Sequence, residues 1–456
     1  METNQNQQPH ANPTDHFWQS STAKIIMVGL LTLVLLIPLQ YVKSLISERA
    51  ERGRSVVTEI NQKWGGNVYF NGPILKVPYK VHEQTESLDP KTKQVIYKNS
   101  TYTEYAYFFP NSLKANASVQ TKPLYRNNYE SAVFTSKMNF KGNYTTPAFS
   151  RNIAPESIEW ERVSIIMQTN NLKSIKGGVA ISFNGSNYTF EPVASENMKD
   201  SLVSMETAAI NLRDKFSSNP ISFEFNITYD GSKQLKIAPI GKLTEAKMTS
   251  NWHTPSFTGS YLPENKTVTA KGFESSWKIS HLNRPFPQQH FRALPDVSAY
   301  AFGVDFLIPV DEYQKNERAS KYGFLVIGLT FLIFFLIQSI SKISIHIFQY
   351  TMIGLALIMF YTLLISITEH SSFRLAYIVA GLSVVVMITL YSMSILKNVK
   401  FPMFIAASLS ALYSFIYVII QLENYALLAG SIGLFLILGA VMYFSRKIDW
   451  QQNAIS

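Results

Sequence analysis

The chain contains no cysteine, which excludes a disulfide framework, thiolate zinc sites and cysteine nucleophiles together. Catalytic signatures are missing as well. No G-x-S-x-G elbow, P-loop or G-x-G-x-x-G is present. The eight histidines, at positions 10, 16, 82, 253, 281, 290, 346 and 370, show no H-E-x-x-H and no close ligand spacing. Ser256 follows His253 by three residues, but the stretch PSFTG reads as a turn between strands and no third member of a triad is identifiable. His281 and His290 read as surface residues, and Trp252 and Trp277 as core or strand-edge aromatics. No run of basic residues interleaves with aromatics, so nucleic acid is not an expected partner. The last absence is the most informative: six long apolar runs carry no Asp, Glu, Lys or Arg in their cores. A charge at that depth costs at least ~2.5 kcal/mol and is usually retained for function, so proton-coupled transport is disfavoured.

Those runs are what the chain does contain. Ile25 to Val42 is bracketed by Lys24 and Lys43, and at about 1.5 Å per residue it nearly spans a hydrocarbon core. It is long for a signal peptide and lacks a cleavage site, so it reads as an uncleaved anchor with a kink at Pro38. Five further runs follow, at 322–341, 347–368, 373–396, 401–420 and 425–444. Spacings of four, as in Ala376/Ala380 and Ala429/Gly433, suit close helix packing, and Tyr391, Tyr413, Tyr417 and Tyr443 offer hydroxyls between helices. One set of short loops holds Lys24, Lys342, Lys397, Lys400, Arg446 and Lys447, and the other holds Glu369, Glu423 and Arg374. The positive-inside rule then puts both termini in the cytoplasm and the region between the first two runs outside.

That region is strand-rich. Tyr102 to Phe109, Ser131 to Phe140, Ala180 to Phe190, Pro220 to Tyr229 and Lys266 to Ser280 are rich in aromatic and β-branched residues, with Asn, Gly and Pro between them. In FEFNITY, Phe223, Phe225 and Ile227 share a face. The fold class expected is a membrane protein with an antiparallel β-sandwich-like extracytoplasmic domain, built as two β units, and six transmembrane helices, one N-terminal and five C-terminal. The divisions are a disordered cytoplasmic tail over 1–22, a first span over 23–43, an amphipathic juxtamembrane helix over 44–65, a β region over 66–308 with a split near 145–157, a second juxtamembrane helix over 309–321, the bundle over 322–445 and a tail over 446–456. Residues 43–321 hold 34 Lys/Arg against 26 Asp/Glu. This is a mildly basic surface able to favour anionic headgroups or wall polymers.

The two juxtamembrane helices attract most attention. Ile46, Ala50, Gly53, Val57, Ile60 and Trp64 form one narrow seam, ended by Gly65-Gly66. Glu48/Arg52, Glu59/Lys63, Asp311/Lys315 and Glu317/Lys321 are four-apart ion pairs. The two helices are expected to pack on each other.

Several stretches resemble the CreD family of bacterial inner-membrane proteins. They are SERAERGRSVVTEINQKWGG with GPILKVPY (Gly72 to Tyr79), Tyr107 to Tyr144, Ser250 to Pro287, the junction FLIPVDEYQKNERASKYGFLVIGLTFLIFFLIQ, and IHIFQYTMIGLALIMFYTLLISITEHSSFRLAYIVAGL. In the third, Trp252, Pro255-Ser256-Phe257, Gly259, Leu262-Pro263, Gly272-Phe273 and Trp277 fall where the family pattern places them. Where the family tends to read Arg-Gly-Ile-Tyr, this chain has Arg126-Asn127-Asn128-Tyr129, and Asn127 is suited to the positive φ of a tight turn. The resemblance implies a protein of the inner membrane linked to envelope integrity and to cell-wall stress, with no accepted catalytic set.

The expectation is therefore non-enzymatic. A β domain binds an envelope protein or cell-wall polymer and couples that state to the membrane bundle through Glu48, Arg49, Arg52, Tyr313, Lys315, Glu317, Arg318 and Lys321. The alternative is a flippase-like handler of lipid or polymer, with an interfacial polar site at Glu369, His370 and Arg374. A hydrolase of envelope material is the third reading, and it lacks an assembled constellation. No cofactor or metal is expected, and the lipid bilayer is the one certain partner.

Overall fold

The computed structural model describes residues 21–88, 95–126, 129–149, 153–193, 202–213, 215–216, 220–306, 308, 312–341, 343–396, 399–422 and 425–446. Residues 1–20, most of the tail expected to be disordered, lie outside these, as do Asn127 and Asp311. Residues 21 and 22 already belong to a helix. The chain divides into two compact units, one of Met1–Ser55 with Val310–Ser456 and the other of Val56–Pro309.

The first unit is helical. Helix α1 (Ser21–Trp64) runs without interruption through Pro38 and across the unit boundary. After α2 (Glu312–Lys321) come α3 (Gly323–Ser341), α4 (Ile347–Thr368), α5 (Phe373–Leu396), α6 (Lys400–Gln421) and α7 (Ala426–Ser445). Six of these are long and apolar enough to cross a membrane, the exception being α2. The ends of α3 to α7 fall within a residue of the uncharged runs, where charge and turn residues unsuited to hydrocarbon begin, whereas α1 continues as helix far past its run. Leu35 and Leu39 of α1 fit over glycines: a Cβ on Gly354 would fall 2.2 Å from Leu35 Cδ1, and one on Gly323 2.8 Å from Leu39 Cδ1. Phe331, Phe334 and Tyr350 are fully buried, and the Tyr350 hydroxyl donates to Gln338 Oε1 at 2.9 Å. Ala376 and Ala380 are buried, as small residues at close helix contacts should be. Of the tyrosines expected to bridge helices, Tyr413 accepts at its carbonyl from the hydroxyl of Tyr377 at 2.8 Å.

The second unit is a mixed sheet rather than a sandwich of two antiparallel sheets. Its strands are β1 (Val68–Leu88), β2 (Val95–Phe108), β3 (Ser112–Arg126), β4 (Tyr129–Tyr144), β5 (Ser164–Thr169), β6 (Ala180–Phe183), β7 (Ser186–Pro192) and β8 (Val203–Thr207). There follow β9 (Ile221–Ser232), β10 (Gln234–Ile237), β11 (Leu243–Ser250), β12 (Pro255–Gly259), β13 (Asn265–Thr269), β14 (Gly272–Ser280), β15 (Gln289–Phe291) and β16 (Phe302–Phe306). Fourteen of them form one hydrogen-bonded path, β12-β16-β10-β1-β5-β8-β7-β6-β9-β4-β3-β11-β14-β13, which curls into a nearly closed barrel. Two pairs are parallel, β1 with β10 and β3 with β11.

The expected split near 145–157 fails for a topological reason. β4 pairs along its length with β9, and β1 pairs with β5, so strands from both sides of the proposed linker share one sheet. β7 turns the corner between the two halves, pairing β6 with one end and β8 with the other. Two expected strands are hairpins instead. Asn184-Gly185 breaks 180–190 into β6 and β7, and 266–280 divides into β13 and β14. The alternation in β9 does hold: Phe223, Phe225 and Ile227 are buried between exposed neighbours. One apolar core fills the barrel, with Phe140 stacked on Phe225 at 4.9 Å and Phe70 against Phe140 at 4.6 Å. Each such ring stabilises the fold by roughly 1.5–3 kcal/mol. Trp277 belongs to this core at 2% exposure, as does Trp252.

Candidate functional site

Helix α2 carries charge on one side and buries the other. Tyr313, Asn316 and Ser320 recur at steps of three and four and are buried, facing α4 and α6. Between α2 and the stalk of α1, Ser47 Oγ donates to Glu317 Oε1 at 3.5 Å. Of the four-spaced pairs, Glu59/Lys63 forms at 2.7 Å, while Asp311 lies outside the described residues. Lys315 pairs with Glu312 at 3.2 Å, three residues back. Glu48 and Arg52 are both exposed.

Glu312 is the residue that places α2. Its Oε2 accepts from the backbone N–H of Phe373, at the start of α5, where unpaired amides and the helix dipole favour an anion. One turn on, Asn316 is fully buried. Its Oδ1 stands 3.4 Å from Thr368 Oγ1, whose proton is better directed to Leu364 O at 2.7 Å, and its Nδ2 has no partner among the described residues. A buried amide left unpaired costs about 1–3 kcal/mol, so this asparagine is held at the expense of stability. Sequence reading passed over it, because an Asn within a charged helix looks solvated.

The two residue groups expected from sequence meet at one point. Arg49 Nη1 of α1 lies 3.5 Å from Glu369 Oε1, just beyond α4. On α2, Tyr313 is buried, Arg318 is half-buried, and Lys321, at its end, is exposed. His370 and Arg374 are exposed.

A second constellation lies wholly in the barrel unit, where the last turns of α1 are anchored. Glu59 binds Arg126 of β3 at 2.5 Å and Lys63 at 2.7 Å. These partners, Lys63 first and Arg126 second, hold its carboxyl below the usual carboxylate range. Asn61 Oδ1 accepts from Ser131 Oγ at 2.5 Å, and Trp64 Nε1 donates to Phe134 O at 3.4 Å. Lys173 Nζ donates to Gln62 O at 2.5 Å, supplying a cation to carbonyls that a helix C-terminus leaves unpaired. The chain then turns through Gly66 at φ +70°, and a Cβ on Gly65 would fall 2.4 Å from Asp230 O. No other residue fits there. Of this anchor only the Glu59/Lys63 pair and the Gly-Gly stop were legible.

Elsewhere in the barrel Arg284 is buried beside Phe109 and Phe286. It donates to Phe286 O at 2.8 Å, to Ile240 O at 3.1 Å and to Gln288 Oε1. Burial pulls its pKa down to about 10, which leaves it charged at neutral pH. Carbonyl dipoles take the place of a counter-ion, so the residue ties the 238–241 and 284–291 segments together. Ser256 lies in β12 opposite Asp305, and His253 is exposed on the preceding turn. Among the described residues no three His, Asp or Glu converge as metal ligands.

The family model described as Inner membrane protein CreD matches residues 20–451 of the chain. Among curated proteins, the Inner membrane protein CreD of Escherichia coli (strain K12) is 28% identical over 426 residues. That alignment covers 92% of this chain and 91% of the relative.

Proposed function

The chain belongs to the CreD family of inner membrane proteins, and from that premise we propose that its barrel unit binds a protein or polymer of the cell envelope and passes the bound state to the membrane helices without catalysis. The observation that carries this reading is α1. A single helix begins as the first membrane span and ends in the Glu59–Arg126, Asn61–Ser131 and Lys173–Gln62 anchor of the barrel unit. In the bundle the same helix is held by Leu35, Leu39 and the Arg49–Glu369 pair. A ligand that favours one arrangement of the barrel unit therefore has a continuous element through which to bias the other.

In this reading both termini are cytoplasmic and the barrel unit is periplasmic, as the distribution of loop cations expects. The process served is envelope integrity under cell-wall stress. Glu369 acts in the transmission path through Arg49, and Tyr313, Lys315, Glu317 and Arg318 hold α2 beside it.

The test is to break the helix without touching either unit's core. Ser55→Gly with Val56→Gly should abolish protection against a wall-directed antibiotic in a strain lacking the native gene, while membrane level and thermal unfolding stay normal. Arg52→Ala with Arg318→Ala should weaken protection. Full protection by the double-glycine chain would overturn the coupling reading.

A further inference from the structure

A large cavity lies within the bundle, lined by none of the residues of the two constellations described above. It measures about 970 Å³ and is walled by α3, α6 and α7, which is at the upper end of the roughly 300–1,000 Å³ typical of small-molecule sites. Its lining is almost wholly apolar. Among the described lining residues Lys400 alone is charged, and Ser408 is the one other polar side chain.

Two features give the cavity a direction. Along α3 it extends from Leu329 to Ile340, about 16 Å at 1.5 Å per residue, or half of a ~30 Å hydrocarbon core. It is one leaflet deep. Ile340 stands at the end of α3, Lys400 at the start of α6 and Val441 near the end of α7, so the cation lies where the apolar helices stop and headgroups begin. Near the other end α6 and α7 meet tightly. A Cβ on Gly433 would fall 1.9 Å from Phe415 Cζ, and both residues line the cavity. The exposed face of α7 is bulky and apolar, with Leu427, Phe435 and Met442 facing outward.

We propose that this cavity holds one phospholipid with an anionic headgroup, its acyl chains between α3, α6 and α7 and its phosphate at Lys400. The surrounding medium supplies acyl chains, the depth matches a single leaflet, and the one charge sits at headgroup level. A long cation stem at a helix end both covers apolar surface and presents its charge to an anionic surface. The site is separate from Glu369 and His370, where lipid handling was expected from sequence, and it stands independently of the coupling reading.

The experiment is native mass spectrometry of the full chain, purified from its own membranes in mild detergent, with identification of retained lipids. The wild type should keep one phospholipid per chain, enriched in phosphatidylglycerol over phosphatidylethanolamine. Ser408→Trp and Ala440→Trp, which fill the cavity, should lose it. Leu382→Trp, on the exposed face of α5, should not. Lys400→Gln should retain the lipid but lower its phosphatidylglycerol preference about fivefold. This variant leaves the apolar packing untouched, so it decides the matter if the tryptophan variants fold poorly. A wild type without lipid, equal retention in the filled variants, an unchanged preference in Lys400→Gln, or a second copy of the chain in place of lipid would each overturn the proposal.

Discussion

Arg49 Nη1 lies 3.5 Å from Glu369 Oε1, tying the first membrane helix to the turn that follows α4. The side chains are 38% and 29% exposed, so solvent screens the pair and its worth to stability is small. A double-mutant cycle with Arg49→Gln and Glu369→Gln should give a coupling energy of about 0.2–1 kcal/mol. Denaturant unfolding in detergent measures it. Additive effects would mean the pair is not maintained in solution.

Glu59 makes the anchor of α1 sensitive to acid. Its carboxyl is depressed below 4.5 by Lys63 and Arg126, so its contribution is complete above pH 4.5 and fades as pH falls through the lower folded value. Hydrogen exchange at residues 56–64, corrected for intrinsic rates, should accelerate in that acid range. Glu59→Gln should exchange faster at neutral pH and lose the added acid response. An unaltered pH profile in that variant would assign the titration to another group.

Gly65→Ala forces a Cβ to within 2.4 Å of Asp230 O. Because backbone stands on both sides, relief requires a shift of the helix end or of β9. The expected cost is about 1–3 kcal/mol, seen as a lower thermal midpoint of the barrel unit.

Arg284→Met should destabilise the barrel by on the order of 3 kcal/mol, since the carbonyls of Ile240 and Phe286 lose their donor while remaining buried. Arg284→Lys should fall between, because an ammonium cannot reach every acceptor that the guanidinium fork reaches. Equal stability for all three would mean that the hydrogen bonds to these carbonyls contribute no net stability.

Asn316→Leu should act in the opposite sense. Replacing a buried amide whose Nδ2 is unpaired with a similar apolar volume should leave the bundle as stable or more so. If α2 works as proposed, the same variant should impair protection against wall-directed stress. Unchanged protection with higher stability would reduce Asn316 to a tolerated defect.

The sequence rendered the bundle far better than the barrel. Membrane spans are local: twenty uncharged residues declare themselves without reference to any partner, and α3 to α6 fall within about a residue of the runs that announced them. The barrel depends on pairings that no window contains. β3, of small and polar residues, is not among the stretches that read as strands, and nothing in it reveals that β11 will lie parallel beside it. The sandwich reading failed there. The candidate site divides in the same way. Arg49 and Glu369 stood out as charges near span ends, but their meeting is tertiary. Asn316 and Arg284 drew no notice because their burial, rather than their identity, is what sets them apart.

The pairing of β1 with β10, and of β10 with β16, sets a timetable. β1 begins at Val68, while β16, which covers the outer edge of β10, ends at Phe306, so the flank begun by β1 is completed by the last strand before α2. At ~5–20 residues per second that interval is roughly 10–50 s. Through it the start of β1, and after it β10, lack an outer neighbour while the remainder of the barrel is still being delivered. That flank of the barrel is completed only when β16 arrives.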